Sequence, residues 1–416
     1  MNYTLINECP ITGKTNKTKY LDLGDTPLVN NLCDTRDEAI NATKYPLSLN
    51  YFHSSGETAL SHAINGELLF SNYVFKSGVN IPYIEHCKNM FDYIENIKPI
   101  TNGDVIVDIG GNDGTLLKTF KEKQENSFKN EEFVQYVNID ASKNLTELAE
   151  KNGITSINDF FTDELVSDLF FQSDLIISTN VFQHLKDLNS FVKGIKNFLR
   201  NEGLWVLEFP YWINSMETNQ FDQVYHEHMY YHSITPLNQL FENHGLKIID
   251  ISFHEMHGGS LRMIMTHKDE TKFEVLPSVK EFTKKEEKYD FEYHKRWGKS
   301  IDSFICKTIY ELNELITDNK TIFGFGAAAK GCIFLNSMNY DYKDIPYVID
   351  DTDLKQGKFI PGTGIEIVSR DILKTESPDY ILILAHNFKD YIMDSLRDFG
   401  YKGKFITLVP EFKIYE

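Results

Sequence analysis

The sequence predicts an α/β chain in which two mostly parallel sheets, each covered by helices, follow a small irregular or β-rich N-terminal module. Three observations predict it. A β-branched strand, a glycine turn and a helix run together in VIVDIGGNDGTLLKTF at 105–120. The same order recurs in TIFGFGAAAKGCIFLN at 321–336. A chain of 416 residues also exceeds what one core usually holds.

Residues 1–75 are polar and turn-rich (CPITGKTNK, LGDTPLVNN, FHSSGETALS) and show no sustained helical period, which gives the small N-terminal module. Apolar residues then recur every three or four positions in IPYIEHCKNMFDYIENI, a helix. After the first glycine turn, strands are expected at YVNID (136–140), DLIIST (174–179), GLWVLEF (203–209) and LKIIDIS (246–252), separated by helical patterns such as LNSFVKGIKNFLRN. This alternation defines a central domain over 76–275. The charged stretch 279–316 has helical spacing and reads as a solvated connecting helix. It opens a third unit, 276–416, with strands at YVID (347–350), DYILILA (379–385) and FITLVP (405–410).

Composition narrows the partners. Lys plus Arg number 42 against 61 Asp plus Glu, a formal charge of −19, which disfavours nucleic acid and anionic membrane. Hydrophobic residues make up 41% and mean hydropathy is −0.35, enough apolar material for packed cores. Runs such as YILILA are strand length, and the start MNYTLINECP lacks a basic segment followed by an apolar one. The five scattered cysteines show no Cys-x-x-Cys spacing. A cytoplasmic location with reduced thiols is expected.

The first glycine turn carries the ligand expectation. In DIGGNDG, Gly110, Asn112 and Gly114 open a helix directly after a strand, two positions beyond Asp108. A dinucleotide would set its pyrophosphate at the helix N-terminus beside that carboxylate, an unfavourable pairing. A cationic ligand reverses the preference, so Asp108 is expected to hold the amino group of S-adenosylmethionine. Asp140 ends the next strand, where it can accept from ribose hydroxyls. In NDFF, Asp159 and Phe160 are expected at the adenine amino group and ring face. Asn180 and His184, in STNVFQHL, sit at the carboxyl edge where ligands of open α/β sheets bind.

Taken with LDLGDTPLVN, YVFKSG (73–78), EFPYW (208–212), FDQVYHEHMYYHS (221–233), HGGSLR (257–262) and GFGAAAKG (324–331), these residues resemble a known family along nearly the whole chain. It is the S-adenosylmethionine-dependent sugar C-methyltransferases acting at C3 of nucleotide-linked 4-keto-deoxysugars. The resemblance implies a class I (Rossmann-like) methyltransferase domain in the middle and a second Rossmann-like domain that helps bind the sugar nucleotide without a dinucleotide of its own. It also implies a monomer, and S-adenosylhomocysteine as the spent cofactor.

Carbon methylation beside a ketone needs a base to form the enolate, a donor for the enolate oxygen and a methyl group in line. YHEH supplies Tyr225, Glu227 and His228 within four residues. Neutral imidazole is available near pH 7, so His228 is the expected base. The resemblance implies that Tyr225 lies beside the sugar and that Glu227 orients substrate or base. Spacing of three puts Tyr225 and His228 on one side of a helical turn, whereas a strand would face them apart. His184 is an alternative base or substrate contact. Tyr73 enters only through the resemblance. His226 and His232 read as packing residues.

On the substrate side, Lys330 and backbone N–H groups near Gly326 are expected at the diphosphate. Gly258 would permit close approach to the pocket, Arg262 is either a pocket residue or a structural ion-pair partner, and Tyr211 joins the expected substrate contacts. Read alone, GFGAAA with Asp350 and Asp351 also suits a nicotinamide site. Family members carry zinc on two Cys-x-x-Cys pairs, but here only Cys9 remains, with Thr12, Phe52 and Ser55 at the other positions. No zinc is therefore expected, and hydrophobic packing must hold the module. Three alternatives stay open: a sugar or metabolite O-methyltransferase, a non-catalytic sugar-nucleotide binding protein, and a nicotinamide oxidoreductase.

Overall fold

The computed structural model describes residues 2–70, 81–127 and 133–416. A seven-stranded sheet lies at its centre, in the order Leu246–His254, Ser260–His267, Leu199–Pro210, Ser173–Thr179, Val105–Ile109, Gln135–Ile139, Thr155–Ile157. The last five are parallel, and the first two form an antiparallel edge. Val105–Ile109 is buried throughout, as a strand covered on both faces must be. Its alternating side chains divide the core. Ile106 packs with Met90, Phe91 and Phe120 from helices Ile81–Ile97 and Thr115–Ser127. Val105, Val107 and Ile109 join Phe191, Ile195 and Leu237 from Leu188–Phe198 and Ile234–Asn243 on the other side.

Two boundaries differ from the expected ones for physical reasons. Strand Leu199–Pro210 begins four residues before GLWVLEF, directly where helix Leu188–Phe198 stops. Ser260–His267, not among the strands expected from sequence, is a fully buried strand. Its Arg262 lies opposite Glu208 in the ladder, so a charge at a core position hid the strand.

The C-terminal sheet has six strands in the order Glu366–Val368, Tyr347–Ile349, Ile322–Phe325, Tyr380–Ile383, Lys404–Thr407, Lys413–Tyr415, parallel except for the last. The charged stretch before it forms two helices, Pro277–Glu286 and Phe291–Thr317, the second capped by Asp290. The long helix is more than a solvated connector. It buries Trp297 and Ile301, and Gly298 lets it approach strand Lys17–Pro27 so closely that a Cβ would fall 1.9 Å from the Tyr20 carbonyl oxygen.

The N-terminal module is a four-stranded antiparallel sheet in the order Tyr230–Tyr231, Thr58–Leu60, Lys44–Phe52, Lys17–Pro27. Its first strand comes from the central domain. At the positions where the resemblance places zinc ligands, Cys9 Sγ lies 3.1 Å from Ser55 Oγ, Thr12 Oγ1 lies 2.6 Å from Ser54 Oγ, and Phe52 is fully buried. Among the described residues, no group of three or more His, Cys, Asp or Glu is placed to hold a metal ion.

Candidate active site

The cofactor side is built at the carboxyl edge of the central sheet. Gly110 turns with φ +70° and its N–H donates to the Ile139 carbonyl at 2.7 Å. A Cβ on Gly110 would fall 2.2 Å from Val181 Cγ2, and one on Gly111 would fall 2.4 Å from Asn138 Oδ1 and 2.6 Å from Asp108 Oδ2. The cradle therefore admits only glycine. Asp108 is buried, its Oδ1 has no hydrogen-bond partner, and burial followed by the nearby Asp140 pushes its carboxyl well above the usual range. Such a group is satisfied by a cationic donor.

Asp140, half-buried, accepts from the Asn112 N–H at 3.0 Å and the Ser142 N–H at 2.7 Å, one on each oxygen. Each oxygen keeps a lone pair for a ribose hydroxyl. Asp159 accepts from the Phe160 N–H at 2.7 Å, and the Phe160 ring is 73% exposed, a face open to a stacking base. Asn180, with φ +57°, ends strand Ser173–Thr179 and donates its N–H to the Glu208 carbonyl at 2.9 Å. These groups fit S-adenosylmethionine. Gly114 has a different task, since its missing Cβ would lie 2.9 Å from Ala149 Cβ and the space serves helix packing.

The expected substrate side is a loop that follows the short 3-10 turn Phe221–Gln223. The His228 N–H donates to the Tyr225 carbonyl at 3.0 Å, closing the turn that the spacing predicts. Tyr225 Oη donates to His228 Nε2 at 2.7 Å, and the rings lie 4.1 Å apart. The Gln223 backbone carbonyl takes the ring's other N–H, while burial, then His184 and Lys330, hold His228 well below its usual range. His228 is thus neutral, with Nε2 as its acceptor. His184 donates from Nδ1 to the Glu227 carbonyl at 2.6 Å, its ring 5.0 Å from that of His228. Burial pushes Glu227 up to about 7, opposed by Asn30, whose side-chain amide donates to Oε1 at 2.6 Å.

Asn30 was missed by sequence reasoning. It lies within LDLGDTPLVN, but nothing in that run marks one residue as facing a loop nearly two hundred positions away. Tyr83 was missed too. Its hydroxyl lies 3.4 Å from Thr179 Oγ1, near Asp108, although helix Ile81–Ile97 showed in sequence only an apolar period. Tyr73 lies outside the described residues.

Several expected substrate contacts turn into the packing instead. Tyr211 is buried and donates to Glu286 Oε1 at 2.8 Å, and Glu286 also receives the Ile234 and Thr235 N–H groups at 2.8 and 3.0 Å, capping helix Ile234–Asn243. Arg262 is buried against Glu208, Nε to Oε1 at 2.5 Å, which is the ion-pair reading of that residue. Although burial alone would raise it, Arg262 and then His86 hold Glu208 down to about 2. A Cβ on Gly258 would fall 2.3 Å from Gln220 Oε1 and 2.7 Å from Asn387 Oδ1, so its close approach is to side chains. Gly326 meets Ala385 Cβ at 2.6 Å in the same sense. His226, toward the Tyr45 carbonyl at 3.3 Å, and His232, against Glu57 at 3.1 Å, are buried packing residues.

Lys330 occupies the first turn of helix Ala329–Ser337 and donates to the His257 carbonyl at 3.1 Å. Burial lowers it to about 8 against the opposing pull of Asp222. The acidic pair that a nicotinamide ribose would need is engaged within the protein. Asp350 accepts from the Ala327 N–H at 2.9 Å and Lys355 Nζ at 3.1 Å, and Asp351 is paired with Arg370.

Comparison with known proteins gives two family matches in succession. Residues 84–251 match a family described as "Methyltransferase domain", and residues 255–410 match one described as "C-methyltransferase C-terminal domain". The C-methyltransferase NovU of Streptomyces niveus is 29% identical over 413 residues, covering 98% of this chain and 96% of that one. Among solved structures, an S-adenosylmethionine-dependent methyltransferase from Clostridium acetobutylicum aligns with TM-score 0.33 and 12% identity over 48% of this chain and 95% of that one. Magnesium protoporphyrin IX methyltransferase from Synechocystis aligns with TM-score 0.32 and 12% identity over 45% of this chain and 78% of that one.

Proposed function

The chain is an S-adenosylmethionine-dependent C-methyltransferase, and from that premise we propose that it methylates C3 of a nucleotide-linked 4-keto-deoxysugar through an enolate, with His228 as the base. The observation that carries the reading is the Tyr225–His228 hydrogen bond of 2.7 Å at the sheet edge that carries Asp108 and Asn180. S-adenosylmethionine, when bound, supplies the electrophilic methyl group. Asp108 holds its ammonium, Asp140 its ribose hydroxyls, and Phe160 with Asp159 meets the adenine.

When the sugar enters, the Tyr225 hydroxyl turns from Nε2 to the ketone oxygen, leaving the Nε2 lone pair facing the C3–H. His228 takes that proton as the electron pair moves into the enolate. Tyr225 donates to the developing oxyanion, a contribution of several kcal/mol in comparable sites, on the order of 3. His184 and Glu227 fix the loop from behind. Lys330, from the C-terminal domain, acts electrostatically on both Asp222 and His228, and it meets the substrate's negative charge. The five cysteines are free thiols, in keeping with a cytoplasmic enzyme.

The test is incubation with methyl-labelled S-adenosylmethionine and a 4-keto-deoxysugar nucleotide. Label is expected on carbon, and label on oxygen overturns the reading. Without cofactor, deuterium from solvent should enter at C3. Loss of that exchange in His228→Asn, with sugar binding retained, identifies the base.

A further inference from the structure

The catalytic loop does not meet the C-terminal domain through apolar contact alone. Asp222, fully buried in the 3-10 turn just ahead of Val224–His228, lies with Oδ2 2.7 Å from Nε2 of His386. His386 is also buried, in the turn that follows strand Tyr380–Ile383 at the carboxyl edge of the second sheet. The ring of Phe221 stacks edge-on against Phe334 at 5.0 Å, closing the pair off from solvent.

A second joint lies beside it. The His257 carbonyl accepts from Gln223 Nε2 at 3.0 Å, on the catalytic loop, and from Lys330 Nζ at 3.1 Å, on the C-terminal domain. His257 holds φ +54°, a left-handed conformation unfavourable for a non-glycine residue and kept only where the surroundings fix it. Asp222 thus faces two side chains of the C-terminal domain, the His386 imidazole in contact and the Lys330 ammonium within electrostatic reach.

We propose that Asp222 and His386 form a latch between the catalytic loop and the C-terminal domain, and that both are positioning residues which set Tyr225 and His228 for proton removal. Neither touches substrate. Only two residues separate Asp222 from Tyr225, and the loop between has no regular structure after Gln223, so the turn's anchorage fixes where the Tyr225–His228 pair stands. The C-terminal domain then acts on chemistry as well as on binding. This rests on the reading of the loop as the catalytic centre, though not on which of its groups is the base.

The test uses full-length Asp222→Asn, His386→Ala, His386→Gln and the double variant Asp222→Asn/His386→Ala, each checked for folding by its melting curve. Displacing a reacting pair by about 1 Å lowers turnover on the order of 100-fold. A fall in kcat of that order is expected for Asp222→Asn and His386→Ala, with the dissociation constant for S-adenosylmethionine and KM for the sugar within about threefold of wild type. His386→Gln retains an N–H donor for Asp222 and should recover most of kcat. Residues acting as one unit are non-additive, so the double variant should be no slower than either single variant. Additive losses, unchanged kcat, no recovery in His386→Gln, or a loss confined to KM would each overturn the latch. Retained deuterium exchange in His228→Asn would instead overturn the base and leave these outcomes readable.

Discussion

Asn30 of the N-terminal module donates to Glu227 Oε1 at 2.6 Å, so a residue from outside the methyltransferase domain holds the carboxyl group next to His228, the proposed base. Burial has raised Glu227 to about 7, and the Asn30 bond works against the rise because it favours the charged form. In Asn30→Leu the carboxyl should rise further. If ionised Glu227 orients the loop, the acid limb of the kcat/KM profile moves to higher pH, which a pH series on wild type and variant measures.

Glu227 also has a stability consequence. Its folded pKa lies above its unfolded one, so the native state holds the proton more tightly between the two values and stability falls as pH rises through that window. The penalty is absent below about 4.5 and complete above about 7, and the shift corresponds to roughly 3 kcal/mol. Glu227→Gln should remove this part of the slope. Melting temperatures at pH 4.5 and pH 8 should then differ less in the variant than in wild type.

At the cofactor cradle, function and stability are set against each other. Asp108→Asn removes the carboxylate proposed to hold the ligand ammonium, and loss of a hydrogen bond to a charged group is worth roughly 1.5–3 kcal/mol, or about 10- to 100-fold in the dissociation constant for S-adenosylmethionine. The same change removes a buried carboxyl with an unpartnered oxygen, so the cofactor-free variant should melt higher than wild type. Titration calorimetry and a thermal scan check both halves.

Arg262 should behave as a structural residue. Arg262→Met removes the guanidinium paired with buried Glu208 and leaves the His86 and His254 imidazoles as its neighbours, and breaking a buried pair costs about 3–5 kcal/mol. A large drop in melting temperature is expected, with KM for the sugar unchanged in the molecules that remain folded. A raised KM with normal stability would return Arg262 to the pocket.

His228→Asn and Tyr225→Phe separate the two partners of the 2.7 Å bond. Loss of the base should lower kcat by about 10²–10⁴-fold. Loss of the phenol should lower it by roughly 10²-fold. Initial rates with labelled S-adenosylmethionine measure both.

Much of this is legible in the sequence itself. The strand–glycine–helix signals located both sheets, because turn glycines and β-branched runs are local properties. The Tyr225–His228 turn followed from a spacing of three. What escaped depends on partners remote in sequence. Arg262, Tyr211 and Gly326 are residue types that suit a pocket equally well, and only the positions of Glu208, Glu286 and Ala385 show that they serve the core. Asn30 and His386 were invisible for the converse reason, since each matters through one contact with the loop at 222–228.

Strand Tyr230–Tyr231 completes the N-terminal sheet from far down the chain. At synthesis rates of about 5–20 residues per second, strand Thr58–Leu60 leaves the ribosome roughly 10–30 s before its partner is made. Through that interval the nascent module carries an open hydrogen-bonding edge, the kind of surface on which chains pair wrongly with one another. The protein should therefore depend on holdase protection during translation, and a fragment ending before Tyr230 should aggregate where the full chain does not.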